Sequence, residues 1–245
     1  MASYSNGRVV ALGLLWLACF TCVHALEPAA TGLYETRSAS TGGIGKVYMD
    51  REIANVMSHR SMGRLDRPER EREERTDLLV AGLPLEKDDV VADIGAGSGY
   101  FSFRVAERVP QGLVVAVDIQ QEMLNELERR KAQRGVDNVR TLLGRIDNPG
   151  LDTHSVDLAF IVDAYHEFSH PREMGEAIFA ALRPDGYLVI VEDRAEEDDS
   201  GWKLHQIAEA QVRKEITALG FTWLRTESFL PQQHFLVFSK AASQE

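Results

Sequence analysis

Three short stretches of the chain carry side chains able to do chemistry. The first is Val90-Val91-Ala92-Asp93-Ile94-Gly95-Ala96-Gly97-Ser98-Gly99-Tyr100, a buried strand running into a glycine-rich turn that opens a helix. Such turns hold nucleotides, because glycine lets the backbone bend tightly and lie flat against a ligand. The dinucleotide pattern wants glycine at position 100 and finds Tyr100, so Gly95, Gly97 and Gly99 form G-x-G-x-G, a poor fit to a pyrophosphate. Asp93, at the strand end, would also repel a pyrophosphate and suits a cation such as an ammonium or sulfonium. The second stretch, Leu113 to Val117, delivers Asp118 at its carboxyl end, where a carboxylate can accept hydrogen bonds from both ribose hydroxyls. Capping the following helix is the simpler role for such an Asp. Loop and Asp118 together indicate a nucleoside.

The third stretch, Asp163-Ala164-Tyr165-His166-Glu167-Phe168-Ser169-His170-Pro171, is dense in groups that take a proton or shape a pocket. Tyr165 reads as pocket wall and His166 as base, with Glu167 orienting the imidazole or binding substrate. The alternative has His166 packed and Glu167 capping the next turn. Asp163, His166 and His170, with Glu192 or Asp193, include types that ligate metals, and His205 could face the same pocket. Nothing in the spacing demands an ion, and no metal is assigned.

These groups need a scaffold that brings strand ends together. After Pro84, apolar strand-like runs alternate with amphipathic helical ones, the βαβ signature of a mostly parallel α/β sheet. Strands are expected near 89-94, 113-118, 138-143, 156-162 and 186-191, with helices near 99-109, 121-134, 172-182 and 203-219. Two final strands, about 221-229 and 234-239, are joined by Pro231-Gln232-Gln233, too short for a crossover, so they pair antiparallel. Ligands to such a sheet sit at its carboxyl edge, where all three stretches lie.

Asp93-x-Gly95-x-Gly97-x-Gly99, Asp118, and Leu182-Arg183-Pro184-Asp185-Gly186-Tyr187-Leu188 before the fifth strand together resemble the class I S-adenosylmethionine-dependent methyltransferases, over residues 76-240. The resemblance implies a Rossmann-like seven-stranded sheet with a C-terminal antiparallel hairpin, helices on both faces, and a small N-terminal helical extension. It implies S-adenosylmethionine as cofactor, with the methionine part over the glycine loop, the ribose on Asp118, and Ile119 and Asp163 at the same site. A polar residue after the third strand often meets the adenine in that family. Here Arg145 follows Gly144, and Asp147, the nearest acid, is assigned that place. Methyl transfer is an in-line displacement, so the protein aligns a nucleophile, deprotonates it where needed and excludes water. The expected activity is methyl transfer to a small-molecule acceptor. A non-catalytic nucleoside-binding module and an NAD-type oxidoreductase are the alternatives.

Composition narrows the partners. The formal charge is -11 over 245 residues, which would repel phosphate backbones, so no nucleic-acid partner is expected. Residues 1-25 hold one Arg and no acid, an apolar run from Val9 to about Val23, and Val23-His24-Ala25, a pattern resembling a cleavage site. They read as a signal peptide, making the protein exported and leaving no stable membrane span after cleavage. Retention of the leader as an anchor, or a later start such as Met49 in a cytoplasmic protein, is the alternative. Both cysteines, Cys19 and Cys22, lie within that leader, so cysteine chemistry is not expected in the processed chain. Residues 26-46 read as a flexible linker, 47-81 as a helical lid and 82-240 as the methyltransferase domain. Within the lid, six Arg and five acids between Arg60 and Arg75 read as a solvated helix face opened by Pro68, with pairs at Asp66-Arg70 and Glu71-Arg75.

Overall fold

A computed structural model of the chain describes residues 1-2, 32-194 and 203-240. The chain divides into the units Met1–Gly32 and Leu33–Glu245, and every described element belongs to the second. The leader expected over 1-25, both cysteines, and the acidic run beyond Arg194 lie outside the described residues. No helix among the described residues is long and apolar enough to cross a membrane.

The main body is a seven-stranded sheet. Its strands are β4 (Val90–Ile94), β5 (Leu113–Asp118), β6 (Val139–Leu143), β7 (Val156–Val162), β8 (Leu182–Asp193), β9 (Phe221–Glu227) and β10 (Gln233–Lys240), ordered β6-β5-β4-β7-β8-β10-β9. The first five are mutually parallel, while β10 runs antiparallel to both β8 and β9, as the short connection requires. This is the Rossmann-like seven-stranded sheet with a C-terminal antiparallel hairpin that the resemblance implies. The central strands are rich in Val, Ile and Ala because helices cover both sheet faces. One face buries Val91, Val114, Phe160, Val189 and Phe235, and the other Ile94, Val115, Ile161, Ile190 and Leu236. Helices α3 (Tyr100–Ala106), α4 (Gln121–Arg134), α5 (Pro171–Ala181) and α6 (Glu209–Thr217) complete the layers. Pro171 opens α5 with its preset φ, and Gly135, at φ 64°, closes α4.

The last helix begins later than its periodicity predicts. The backbone amide of Ile207 donates to the Asp193 carbonyl (3.2 Å), drawing residues 206-208 alongside the end of β8 and leaving only a 3₁₀ turn at Lys203–His205. His205 thus stands at the carboxyl edge of the sheet.

The N-terminal extension is not purely helical, and the expected linker is partly strand. β1 (Tyr34–Thr36), β2 (Gly43–Tyr48) and β3 (Arg51–Ala54) form a separate antiparallel sheet. β2 and β3 are joined by Met49 and Asp50, both at positive φ, the conformation a two-residue hairpin turn needs but one usually signalled by Asn-Gly or Asp-Gly. The Lys214 ammonium holds that turn through the Met49 carbonyl (3.2 Å) and the Asp50 carboxylate (2.7 Å).

A 3₁₀ segment (His59–Asp66), α1 (Arg70–Glu74) and α2 (Thr76–Gly82) follow. The arginine-rich stretch is not one solvated face. Arg75 at φ 52° divides the two short helices, and Arg70, only 5% exposed, pairs with Glu74 rather than Asp66. Asp66 instead takes a two-pronged bond from Arg130 on α4 (2.7 and 2.8 Å), while Arg75 pairs with Asp77. Helical spacing alone cannot foresee a partner that lies 64 residues away.

Candidate active site

A cavity of about 740 Å³ opens at the carboxyl edge, between the ends of β4, β5 and β7 and the segment 55-70. That is a usual size for a small-molecule site. Its floor is the glycine loop. The amides of Gly95 and Ala96 both donate to the Val117 carbonyl (2.8 and 2.9 Å), tying the loop to β5. Gly95 (φ 82°) and Gly97 (φ 54°) line the cavity. A Cβ at Gly95 would lie 2.8 Å from that of Ala164, and one at Gly97 would lie 2.6 Å from Leu65 Cδ1, so any side chain would fill the cradle. Gly99 serves packing instead, because a Cβ there would strike Leu127 and Phe103, and its absence lets the helices approach closely outside the cavity.

The two acids near the loop play different parts. Asp118 lines the cavity, accepting from the Gly97 amide at Oδ2 (2.9 Å) and the Gln120 amide at Oδ1 (2.8 Å), which leaves acceptor capacity on both oxygens. Burial raises its pKa. Ile119 borders the same space. Asp93 is not part of the wall. It is 3% exposed beneath the loop, accepts from the Ser102 hydroxyl (2.6 Å), and is pushed up by burial to about 7. Its carboxylate fastens α3 to β4 instead of meeting a cation.

Asp147 turns away as well, taking two bonds from Arg145 (both 3.0 Å) at an exposed position. Arg145 and Ile146 line the cavity in its place, and Ile146 presents a half-exposed apolar side chain there. A short surface ion pair two residues apart is enough to rotate Asp147 outward.

The end of β7 carries the densest set of ionisable groups. Asp163, at φ 48°, lines the cavity and accepts from the Gln233 amide at both oxygens (3.0 and 2.9 Å). Burial, with Asp193 and Glu192 nearby, raises its pKa well above the ordinary carboxylate range. Burial likewise lifts Asp193 to about 6 and Glu167 to about 7. Tyr165 is not a pocket wall. It lies beneath the site, 1% exposed, with its hydroxyl donating to Glu215 (2.8 Å), which also takes a two-pronged bond from Arg51 (2.8 and 2.9 Å). Phe168 and Ala164 form the wall.

His166 reaches the cavity, but neither ring nitrogen is idle. Nδ1 donates to Glu192 Oε2 (2.6 Å), and Nε2 lies 3.2 Å from Nδ1 of His205. Burial pulls the imidazole pKa down, yet the Glu192 carboxylate outweighs burial and raises it to about 9. A ring that holds its proton at neutral pH is not a resting base. His205, lowered by burial and by His166, and Glu167 both face the cavity from the same corner. His170 stands apart, against Ser169 and the edge of Tyr34.

The extension covers this corner. The Met57 amide donates to Glu167 Oε1 (3.1 Å), the His59 amide to Gln120 Oε1 (2.8 Å), and the Gln120 side chain returns a bond to the Met57 carbonyl (2.9 Å). Met57 and Leu65 are apolar residues in a polar stretch, a signal of burial that the charge pattern around them masks; Gln120 offers none beyond its place after Asp118.

Comparison with known proteins decides the family. A methyltransferase-domain model matches residues 85–229, more than half the chain. The chain belongs to this methyltransferase family. Among similar proteins, the chain is 28% identical over 118 residues to a tRNA U34 carboxymethyltransferase of Desulfotalea psychrophila, covering 48% of this chain and 37% of that one. It is 28% identical over 111 residues to a malonyl-[acyl-carrier protein] O-methyltransferase of Marinomonas, covering 45% and 40%. The chain therefore spans less than half the length of the curated relatives it matches. In fold, it superposes with a TM-score of 0.71 on a SAM-dependent methyltransferase from Aquifex aeolicus, at 23% identity, covering 76% of this chain and all of that one.

Proposed function

We propose that the chain transfers a methyl group from S-adenosylmethionine to a small-molecule acceptor. The observation that carries this reading is the single cavity shared by Gly95, Gly97 and Asp118 at one end and Asp163, His166, Glu167 and His205 at the other. The donor supplies an activated sulfonium methyl; the chain supplies position, a dry wall and a route for the acceptor's proton. Asp118 holds the ribose hydroxyls, the flat loop takes the methionine part, and Ile119 and Ile146 flank the adenine. Asp193, with its carboxyl pKa at about 6, carries the negative charge at this end of the cavity that suits a sulfonium. Glu167 and His205 are the groups placed to receive a proton from the acceptor. The cavity's volume of about 740 Å³ and the acidic chain favour a small acceptor over RNA, although a relative is a tRNA enzyme.

Methyl-labelled S-adenosylmethionine, incubated with the full chain and pools of phenols, carboxylates, amines, thiols and tRNA, tests the reading. Label entering one small-molecule pool, and lost with Glu167→Gln, is the expected result. Label entering tRNA alone overturns the acceptor class.

A further inference from the structure

Three side chains from two separate segments converge on one point of the cavity. Nδ1 of His205 lies 3.2 Å from Nε2 of His166, and Oε1 of Glu167 lies 3.8 Å from that His166 nitrogen and 3.9 Å from the His205 nitrogen. A triangle with these edges has a centre about 2.1 Å from all three atoms, the length of a zinc–imidazole or zinc–carboxylate bond. A hydrogen bond between two imidazoles needs only one of those distances; a third ligand atom near enough to keep the common radius at bond length is what an ion requires.

The surroundings fit the same demand. Glu192 is fully buried and accepts from His166 Nδ1, which leaves Nε2 as the nitrogen facing the centre, its proton displaced when an ion binds there, the carboxylate–histidine–metal arrangement. Glu167 Oε1 is steadied by the Met57 amide. Two imidazoles and one carboxylate favour a transition ion over magnesium or calcium, and three protein ligands leave positions open. All three residues border the cavity that also contains Gly95 and Asp118.

We propose that His166, Glu167 and His205 hold one divalent transition-metal ion of the zinc type, its remaining positions open to the cavity for an oxygen of the acceptor. With the ion bound, Glu167 and His205 are ligands instead of proton acceptors, and an acceptor oxygen on the ion loses its proton to water. This narrows the acceptor of the proposed methyl transfer to molecules with an ionisable oxygen, and to that extent rests on that reading, whereas the ion site itself does not.

The test is a calorimetric titration of chelator-stripped full chain with Zn²⁺, with bound metal counted by mass spectrometry. One ion per chain is expected. His205→Ala and Glu167→Gln should each weaken binding about 100-fold or more, and Glu192→Gln, which removes only the supporting carboxylate, about 10- to 100-fold. His205 is partly exposed, so its variant keeps the fold, and thermal melting in chelator checks this. Absence of binding by the parent chain overturns the site, as does undiminished binding by both ligand variants, which would put the ion elsewhere, on Cys19 and Cys22 for instance. Titrating the same variants with S-adenosylhomocysteine reads the donor site separately.

Discussion

The two ends of the cavity are built in opposite ways. At the β4–β5 end the ligand surface is backbone: a loop tied to Val117, glycines in left-handed conformations, and one carboxylate held by amides two residues and 21 residues away. At the β7–β8 end it is side chain, and the charges are gathered from afar. His166 meets Glu192 26 residues on and His205 39 residues on, while Arg51 crosses 164 residues to Glu215 beneath them. A backbone site is set by a short run of sequence and serves one ligand. A side-chain site assembled from distant segments can change its ligand without touching the first.

The largest effect that would sharpen this contrast lies beneath the acceptor end. Glu215 is fully buried and joins Arg51 to the Tyr165 hydroxyl. Glu215→Ala leaves the buried guanidinium unpaired and should cost about 3–5 kcal/mol in chemical denaturation. S-adenosylhomocysteine affinity of the folded fraction should remain unchanged. A cost below about 1 kcal/mol would mean that this end is not held by its buried charges.

The donor end predicts a pH effect of somewhat smaller size. Burial pushes the Asp93 carboxyl up to about 7, whereas in the unfolded chain it titrates near 4. The folded chain therefore holds this proton more tightly. The stability it contributes is full below about pH 4 and is lost as pH rises through about 7, a few kcal/mol at most because Ser102 and Arg70 favour the charged form. Asp93→Asn should remove that decline, so the melting temperatures of variant and parent diverge between about pH 4 and 7 in favour of Asn. Parallel curves would show that Asp93 is not held in this way.

The same contrast explains what can be read from the sequence. Strand positions, the terminal hairpin, the glycine loop and Asp118 are legible because each rests on local periodicity or a contiguous motif. The motif marks Asp93 as important but not the direction it faces: one hydroxyl, Ser102 on α3, turns it from ligand to fastener. Asp147 departs from expectation for a similar reason, being captured by Arg145. At the acceptor end His166 and Glu167 are legible as types, while their roles depend on Glu192, His205 and Met57, which no spacing rule connects. The hairpin of Met49 and Asp50 escapes a sequence reading because its turn residues are not the usual ones for positive φ.

The β4–β5 end should bind an S-adenosyl nucleoside through Asp118 and not a dinucleotide. Calorimetric titration of the full chain with S-adenosylhomocysteine and with NAD, repeated on Asp118→Ala, tests it most directly. Saturable binding of S-adenosylhomocysteine, no heat from NAD, and a loss of about 1.5–3 kcal/mol of affinity in a variant that still folds are the predicted results. Binding of NAD but not of S-adenosylhomocysteine, or equal affinity in Asp118→Ala, would contradict it.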